Sequence, residues 1–247
     1  MIPQSNKILF YKTGVHACSY LPQQQAATLF AEPHTRMTPH IYSRLVDNGF
    51  RRSGSHVYRP HCADCNACVS VRIPVTLFQP RRNQKRIWNR NQDIQVIAAP
   101  AEFDPQHFAL YRRYIADRHA GGGMDTDDAA QYQHFLISPW CNTVFYQFFL
   151  AEQLVAVAVV DVLQQGLSAV YTFYDPSPAL AARSLGSFAI LWQIQETQHR
   201  QLPWLYLGYW VENCQKMAYK RHYHPLEGYF LGQNAWHWIE KGCDLEL

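Results

Sequence analysis

The stretch "VFYQFFLAEQLVAVAVVDVLQQGLSAVYTFYD", Val144 to Asp175, contains three apolar runs rich in β-branched and aromatic residues, broken by "EQ" and "QQG". The runs have strand length and the polar breaks have hairpin length, which predicts an antiparallel meander. Directly downstream, in "RSLGSFAILWQIQETQHRQ", Leu185, Phe188, Leu191 and Trp192 recur at helical spacing, predicting one helix packed on that sheet. "WLYLGYW" reads as a further strand, "NCQKMAYK" as a short helix and "GYFLG" as a last strand. The expected class is therefore α+β, with a mixed, mostly antiparallel sheet flanked by helices.

Working upstream, a helix is expected from Thr38, with Pro39 at its first position, to Asp47, ending at Gly49. "GFRRSG" reads as a turn, and "HVYR" and "VSVRIPV" as strands. "FQPRRNQKRIWNRNQD" is a basic, helical connector, in which Trp88 is expected to anchor the helix rather than stack on a base. Two helices are expected around Asp104–Asp117 and Asp127–Leu136, separated by the glycine-rich "HAGGGMD". The expected organisation is a small N-terminal domain over residues 1–80, a connector over 81–103 and the main domain over 104–247.

The chain has 247 residues, 48% hydrophobic and 17% charged, which is enough to bury a sizeable core. No apolar run approaches the roughly 20 residues of a membrane span, and "MIPQSNKILFYKTG" has no secretory pattern. Seven cysteines, an odd number, without that pattern point to a reduced, cytoplasmic protein with no membrane partner. Charge is unevenly spread. Residues 1–92 carry 13 Lys and Arg against three acids, while residues 93–247 carry 9 against 16. The first part is thus suited to a polyanion.

In "LGYWVENCQKMAYKRHYHPLE", Gly208 ends an apolar strand where backbone can pass close to a ligand, and Tyr209, Trp210, Tyr219 and Tyr223 alternate with Lys216, Lys220 and Arg221. Such a mixture suits stacking on bases and pairing with phosphates or carboxylates, and equally suits a solvated amphipathic helix. The longer string "VYTFYDP…SLGSFAILWQIQET…YLGYWVENCQKMAYKRHYHP" resembles the arginyl-tRNA–protein transferase family. "CSYLP", "YSRLVDNGFRRSG" and "YRPHCADCNAC" extend that resemblance through the first half. It implies a small N-terminal domain followed by a GNAT-type acyltransferase domain. In the short bacterial branch it implies transfer of leucine from leucyl-tRNA to proteins whose N-terminal residue is Asp or Glu, marking them for degradation.

An aminoacyl ester is already activated, so the reaction requires no cofactor. The enzyme has to orient the ester and a neutral amine, move a proton and stabilise an oxyanion. Tyr174, Asp175 and Asp161 are the candidates to orient or deprotonate the amine, although Asp175 before Pro176 equally fits a turn. Arg52 is the first choice for the acceptor's acidic side chain, with Arg51, Lys216 and Arg221 behind it. For the charged tRNA the candidates are Tyr171, Phe173, Ser184, Leu185, Gly186, Gly208, Tyr209 and Lys220, with Arg81, Arg82, Lys85 and Arg86 for its backbone. The leucyl group needs an apolar pocket, whereas an arginyl group would need a buried carboxylate.

In "RPHCADCNACVSVR", Cys62, Cys65 and Cys68 stand three positions apart. Eukaryotic relatives pair a Cys-x-x-Cys with a later Cys-Cys and are associated with an iron–sulfur cluster. Here Leu21 replaces the second cysteine of the first pair and leaves Cys18. Cys18, Cys62, Cys65 and Cys68 could hold structural zinc or a cluster, with His61 as a substitute, or could be reduced thiols packing a hairpin. The rival functions are the same transfer with arginine as donor, a non-catalytic adaptor binding tRNA or acidic N-termini, and an acetyl-CoA-dependent acetyltransferase. The single glycine of "RSLGSF" fits that last one poorly.

Overall fold

The computed structural model of the chain describes residues 8–118 and 128–240. Its first part contains β1 (Phe10–Lys12), β2 (His16–Ala17), β3 (Gln25–Ala26), β4 (Thr28–Ala31), α1 (Pro39–Asp47), β5 (Arg51–Ser53), β6 (His56–Pro60) and β7 (Val69–Pro74). Then come α2 (Arg82–Arg90), β8 (Ile94–Pro100), α3 (Pro105–Arg118) and α4 (Ala129–Leu136). The rest is β9 (Thr143–Leu150), β10 (Gln153–Val162), β11 (Gly166–Tyr174), α5 (Leu185–His199), β12 (Trp204–Trp210), α6 (Gln215–Ala218), β13 (Leu226–Phe230) and β14 (Ala235–Ile239). Among the described residues no helix is long and apolar enough to cross a membrane. "HAGGGMD" and the expected helix start at Asp127 lie outside the described residues.

The predicted meander forms the centre of an eight-stranded sheet in the order β14-β13-β7-β12-β11-β10-β9-β8. The class is α+β, mostly antiparallel, with helices on both faces. β10 is apolar along almost its whole length because both of its faces are covered. On one face α5 lays Phe188, Leu191 and Ile194 against Val71, Ile73, Phe148 and Leu205, with α2 alongside. Trp88 of α2 packs 5.5 Å from Phe188, as an anchor does. On the other face α3 and α4 bury Leu110, Tyr111, Ile115, Tyr132 and Leu136 on Phe145, Val157, Val159 and Phe173.

Beside those helices sits a second sheet, β1-β4-β6-β5, with α1. Thr38 caps α1 by accepting from the Ile41 backbone N–H at 3.2 Å. Tyr42, Leu45, Val46, Phe50 and Val57 then pack on Leu163 and Tyr206 of the large sheet. β7, from the expected N-terminal segment, lies inside the large sheet between β12 and β13, and β8, from the expected connector, forms its edge. Arg72 of β7 is clamped between Trp204 and Trp236, 3.8 and 4.2 Å from the ring centroids, and paired with Glu227 at 2.6 Å. Residues of both parts of the chain therefore meet in two of the core clusters.

β11 and β12 provide a parallel pair in this otherwise antiparallel sheet. They are hydrogen-bonded only from Gly166–Ser168 to Trp204–Tyr206. Beyond that point β11 runs on to Tyr174 and β12 to Trp210 without pairing to each other, so the sheet opens into a wedge. A bulge between Tyr206 and Gly208, where β12 pairs with β7, turns β12 away.

The two sheets are bolted together by a buried ion pair. Arg52 donates from Nε and Nη2 to the two oxygens of Asp161 at 2.7 Å each, and both side chains are fully buried. Nη2 also meets the Leu136 carbonyl at 3.0 Å and Thr143 Oγ1 at 3.1 Å, and Nη1 the Gly54 carbonyl at 3.3 Å. Tyr42 and Thr143 hydroxyls donate to Asp161 at 3.0 and 2.8 Å. Burial and the Asp161 carboxylate hold the Tyr42 phenol well above its ordinary pKa, so it remains a donor. Removing one partner strands the other charge in a dry site. Arg52→Ala and Asp161→Ala are each expected to lower stability by about 3–5 kcal/mol, measured by denaturant unfolding. A loss near zero in both would show that the pair does not hold the sheets.

Candidate active site

Adjacent residues on a strand point to opposite sides. Arg52 faces Asp161, so Arg51 faces the other way and reaches the wedge. Its Nη2 donates to the Val170 carbonyl of β11 at 3.3 Å, and its guanidinium lies 5.8 Å from the Tyr209 ring centroid of β12. Gly208 makes this approach possible. Its φ is +72°, and a Cβ there would stand 2.8 Å from Arg51 Nη1. Among the described residues no carboxylate pairs with Arg51, whose titratable neighbours are the uncharged phenols of Tyr58, Tyr20, Tyr209 and Tyr42. A half-buried guanidinium without an anion has the donors and the charge to bind a carboxylate or phosphate.

Lys220 lies next to it. The side chain is 4% exposed, and its Nζ donates to the Tyr209 carbonyl and touches Met217 Sδ at 3.5 Å. Burial, reinforced by the Arg51 charge, depresses its pKa to about 7. The mouth of the wedge is aromatic. Tyr174 stands 4.9 Å from Tyr114, and a Cβ on Gly186 at the start of α5 would lie 3.0 Å from the Tyr174 ring. Tyr219 is 44% exposed. The Tyr171 hydroxyl is buried with no partner among the described residues.

Beyond Arg51 along β5, Ser53 joins His56, Tyr111, Tyr132, His134 and Phe135 around a cavity of about 280 Å³. Gln131 completes the lining, which therefore combines Tyr111, Tyr132 and Phe135 with two histidines, Ser53 and Gln131, and carries no carboxylate among the described residues.

Several expected site residues have other work. Arg52 and Asp161 are turned to each other, which leaves neither to hold a substrate carboxylate or amine. Phe173 is fully buried against Tyr111 and Tyr132, and Leu185 is in the core below α5. Tyr209 is buried with its hydroxyl at the Gly49 and Tyr58 carbonyls, 3.0 and 3.1 Å away, so it supports the wedge and presents no ring to a base. Asp175 accepts from the Ser177 N–H at 2.9 Å and meets Arg113 and Gln153 at 3.4 Å each, which is the turn role its sequence context equally fitted. Arg221 is paired with Glu212 at 3.1 Å, and Lys216 is exposed on α6. Ser184 adopts a left-handed conformation at the start of α5 and makes no side-chain capping bond. Arg81, Arg82, Lys85 and Arg86 are exposed around α2, which packs beside α5.

Family models for the arginine-tRNA-protein transferase N terminus and C terminus match residues 16–86 and 106–230. The chain belongs to the arginine-tRNA-protein transferase family. Proteins named aspartate/glutamate leucyltransferase are similar over 90% of this chain and 93% of their own length. Those of Pseudomonas fluorescens SBW25 and Pseudomonas putida W619 are 53% identical, and that of Pseudomonas syringae pv. tomato DC3000 52%. Among solved structures, the L-PGS of Bacillus licheniformis overlaps 72% of this chain and 62% of its own, at 11% identity and a TM-score of 0.48. That likeness is too remote to inform the site.

In this member of the family Cys18, Cys62, Cys65 and Cys68 lie near one another. Burial pushes the Cys68 thiol up to about 12, with the neighbouring Cys18, Cys62 and Cys65 adding to the shift. Cys18 Sγ accepts the Tyr20 and Leu21 backbone N–H groups at 3.4 Å each, and Cys62 reaches the Ala27 carbonyl at 3.8 Å. Among the described residues no three His, Cys, Asp or Glu side chains are placed to hold a metal ion.

Gly208→Ala is expected to displace the Arg51 guanidinium while leaving the core intact. Acyl transfer should fall at least tenfold while the far-ultraviolet circular dichroism stays unchanged. Undiminished activity would show that Arg51 does not work from the wedge.

Proposed function

We propose that this chain transfers leucine from leucyl-tRNA to the N-terminal Asp or Glu of acceptor proteins by direct aminolysis of the aminoacyl ester. The observation that carries the reading is the Arg51 guanidinium, held without a carboxylate partner in the opening of an acyltransferase-type sheet. The names of the relatives, at more than 50% identity over nine-tenths of the chain, support the same donor and acceptors.

In this reading the tRNA backbone follows the exposed cations of α2, and the esterified end enters the wedge beside Tyr174 and the start of α5. Phosphate contacts of that kind supply affinity and salt dependence but little sequence discrimination. The leucyl side chain takes the Tyr111, Tyr132 and Phe135 side of this cavity, whose described walls offer no carboxylate to an arginyl group. Arg51 receives the acceptor's side-chain carboxylate, which draws its α-amine to the ester. Aligning the two groups lowers the barrier by about 7–11 kcal/mol in favourable model systems. The reaction consumes no cofactor. Cys18, Cys62, Cys65 and Cys68 as placed do not form a zinc or iron–sulfur site, and no step of the transfer is assigned to such a group.

The test is transfer of labelled leucine, and separately arginine, from charged tRNA to peptides beginning with Asp, Glu, Lys or Ala. Leucine is expected on the Asp and Glu peptides alone. Arginine transfer would overturn the donor, and binding without transfer would make the protein an adaptor. In the same assay Arg51→Ala should cut kcat/KM for Asp peptides by about 100-fold, near 2.7 kcal/mol. Neutralising Arg82, Lys85 and Arg86 together should raise KM for leucyl-tRNA and flatten its dependence on salt.

A further inference from the structure

The reaction leaves one chemical task unassigned. An N-terminal amine has an ordinary pKa of about 7.7–8.0, so much of it arrives as ammonium and has to lose a proton before it attacks. Asp161 is sealed against Arg52, and Asp175 is held in its turn. Lys220 is buried in the wedge, with Nζ on the Tyr209 carbonyl, and touches Met217 of α6. The titratable groups that bear on it are Arg51 of β5 and the Cys214 thiol that precedes α6, and the face of Tyr219 lies 5.9 Å away. Burial and Arg51 together keep a large fraction of this amine neutral near pH 7.

Resting on the reading of Arg51 as the carboxylate receptor, we infer that Lys220 is the catalytic proton acceptor for the attacking α-amine, and that the acceptor's own side-chain carboxylate switches it on. The logic is electrostatic. In the free protein the Arg51 charge weakens Lys220 as a base. An Asp or Glu carboxylate seated on Arg51 cancels that charge and strengthens the base at the moment the amine arrives beside it. An acceptor without a carboxylate leaves Lys220 in its weak state, so acidic N-termini are selected in turnover as well as in binding.

The proton balance closes. Lys220 Nζ takes a proton from the α-ammonium, and the freed amine attacks the ester carbonyl. The tetrahedral adduct collapses with cleavage of the carbon–oxygen bond to the ribose. The new peptide nitrogen passes its surplus proton to the ribose oxygen, which leaves as a hydroxyl, and Lys220 returns to neutral by releasing to solvent the proton it took from the α-ammonium.

The experiment uses the full chain and first requires the wild type to transfer leucine. Failure there would overturn the proposed function, and a positive result leaves the present inference to be tested separately. Lysine labelled with carbon-13 at Cε, with Lys220 assigned from the Lys220→Arg spectrum, reports its titration directly. The midpoint is expected near 7 in the free protein, and to rise by at least half a unit with an Asp-initiated peptide or on Arg51→Gln, but not with an Ala-initiated peptide. In transfer assays Lys220→Met should lower kcat at least 100-fold with KM for the peptide within about threefold, and added methylamine should restore part of the rate in proportion to its concentration. A midpoint above 9, or one indifferent to both the Asp peptide and Arg51→Gln, would overturn the inference. A folded Lys220→Met protein with undiminished kcat, or a loss that no amine repairs, would do the same. Should Lys220→Met fail to fold, the titration in the wild type and in Arg51→Gln still decides.

Discussion

The buried pairing of Arg52 with Asp161 sets the geometry on which the proposed chemistry depends. It joins β5 of the small sheet to β10 of the large one and is closed by Tyr42, Thr143 and two backbone carbonyls. A fully satisfied charge cluster of this kind tolerates little displacement, because any shift leaves charge unpaired in a dry interior. Its consequence lies one residue away. With Arg52 pinned on one side of β5, strand alternation carries Arg51 to the other side, into the wedge between β11 and β12. A guanidinium on a flexible loop would cost more entropy to order around a carboxylate than one already braced on a strand.

The wedge itself arises from a conflict in strand pairing. β11 and β12 start as a parallel pair because α5 returns the chain across the sheet in the usual crossover. The bulge at Gly208 then bends β12 toward β7, and three ladder pairs are all that the two strands share. Exposed carbonyls and a glycine without a side chain line the opening, and Arg51 fills part of it against Val170. Lys220 closes the far side through the Tyr209 carbonyl. A guanidinium and a buried amine thus share a crevice with phenols and no acid among its described neighbours, an arrangement that favours an incoming carboxylate.

Much of the fold was legible in the sequence, for identifiable reasons. The meander, α1 with its Thr38 cap, and α5 all carry strong periodicity or cap chemistry. The edge strands β8 and β14 were not read, since "IQVIAAP" and "AWHWI" are short and half exposed, and edge strands carry weak patterns. The division at residue 80 followed the basic connector, while β7 takes its place in the large sheet through long-range pairing that local composition does not encode. At the site, sequence placed Arg51 and Arg52 side by side and put Arg52 first, whereas Arg52 is taken up by Asp161. Asp161 in the middle of "VAVAVVDVL" was the available signal, because a carboxylate inside a buried strand needs a buried cation. Lys220 was read as part of a nucleic-acid face because its neighbours are basic and aromatic. Its burial beneath β12 depends on contacts made by the folded chain alone.

The most direct test of this account is a crystal structure of the full chain with 3′-leucylamido-adenosine, an amide that cannot be aminolysed, and a peptide beginning with Asp. The account predicts the Asp carboxylate on the Arg51 guanidinium, the peptide amine between Lys220 Nζ and the leucyl carbonyl, and the leucyl side chain toward Phe135. An Asp carboxylate bound away from Arg51, or a leucyl group seated outside the β11–β12 wedge, would contradict it.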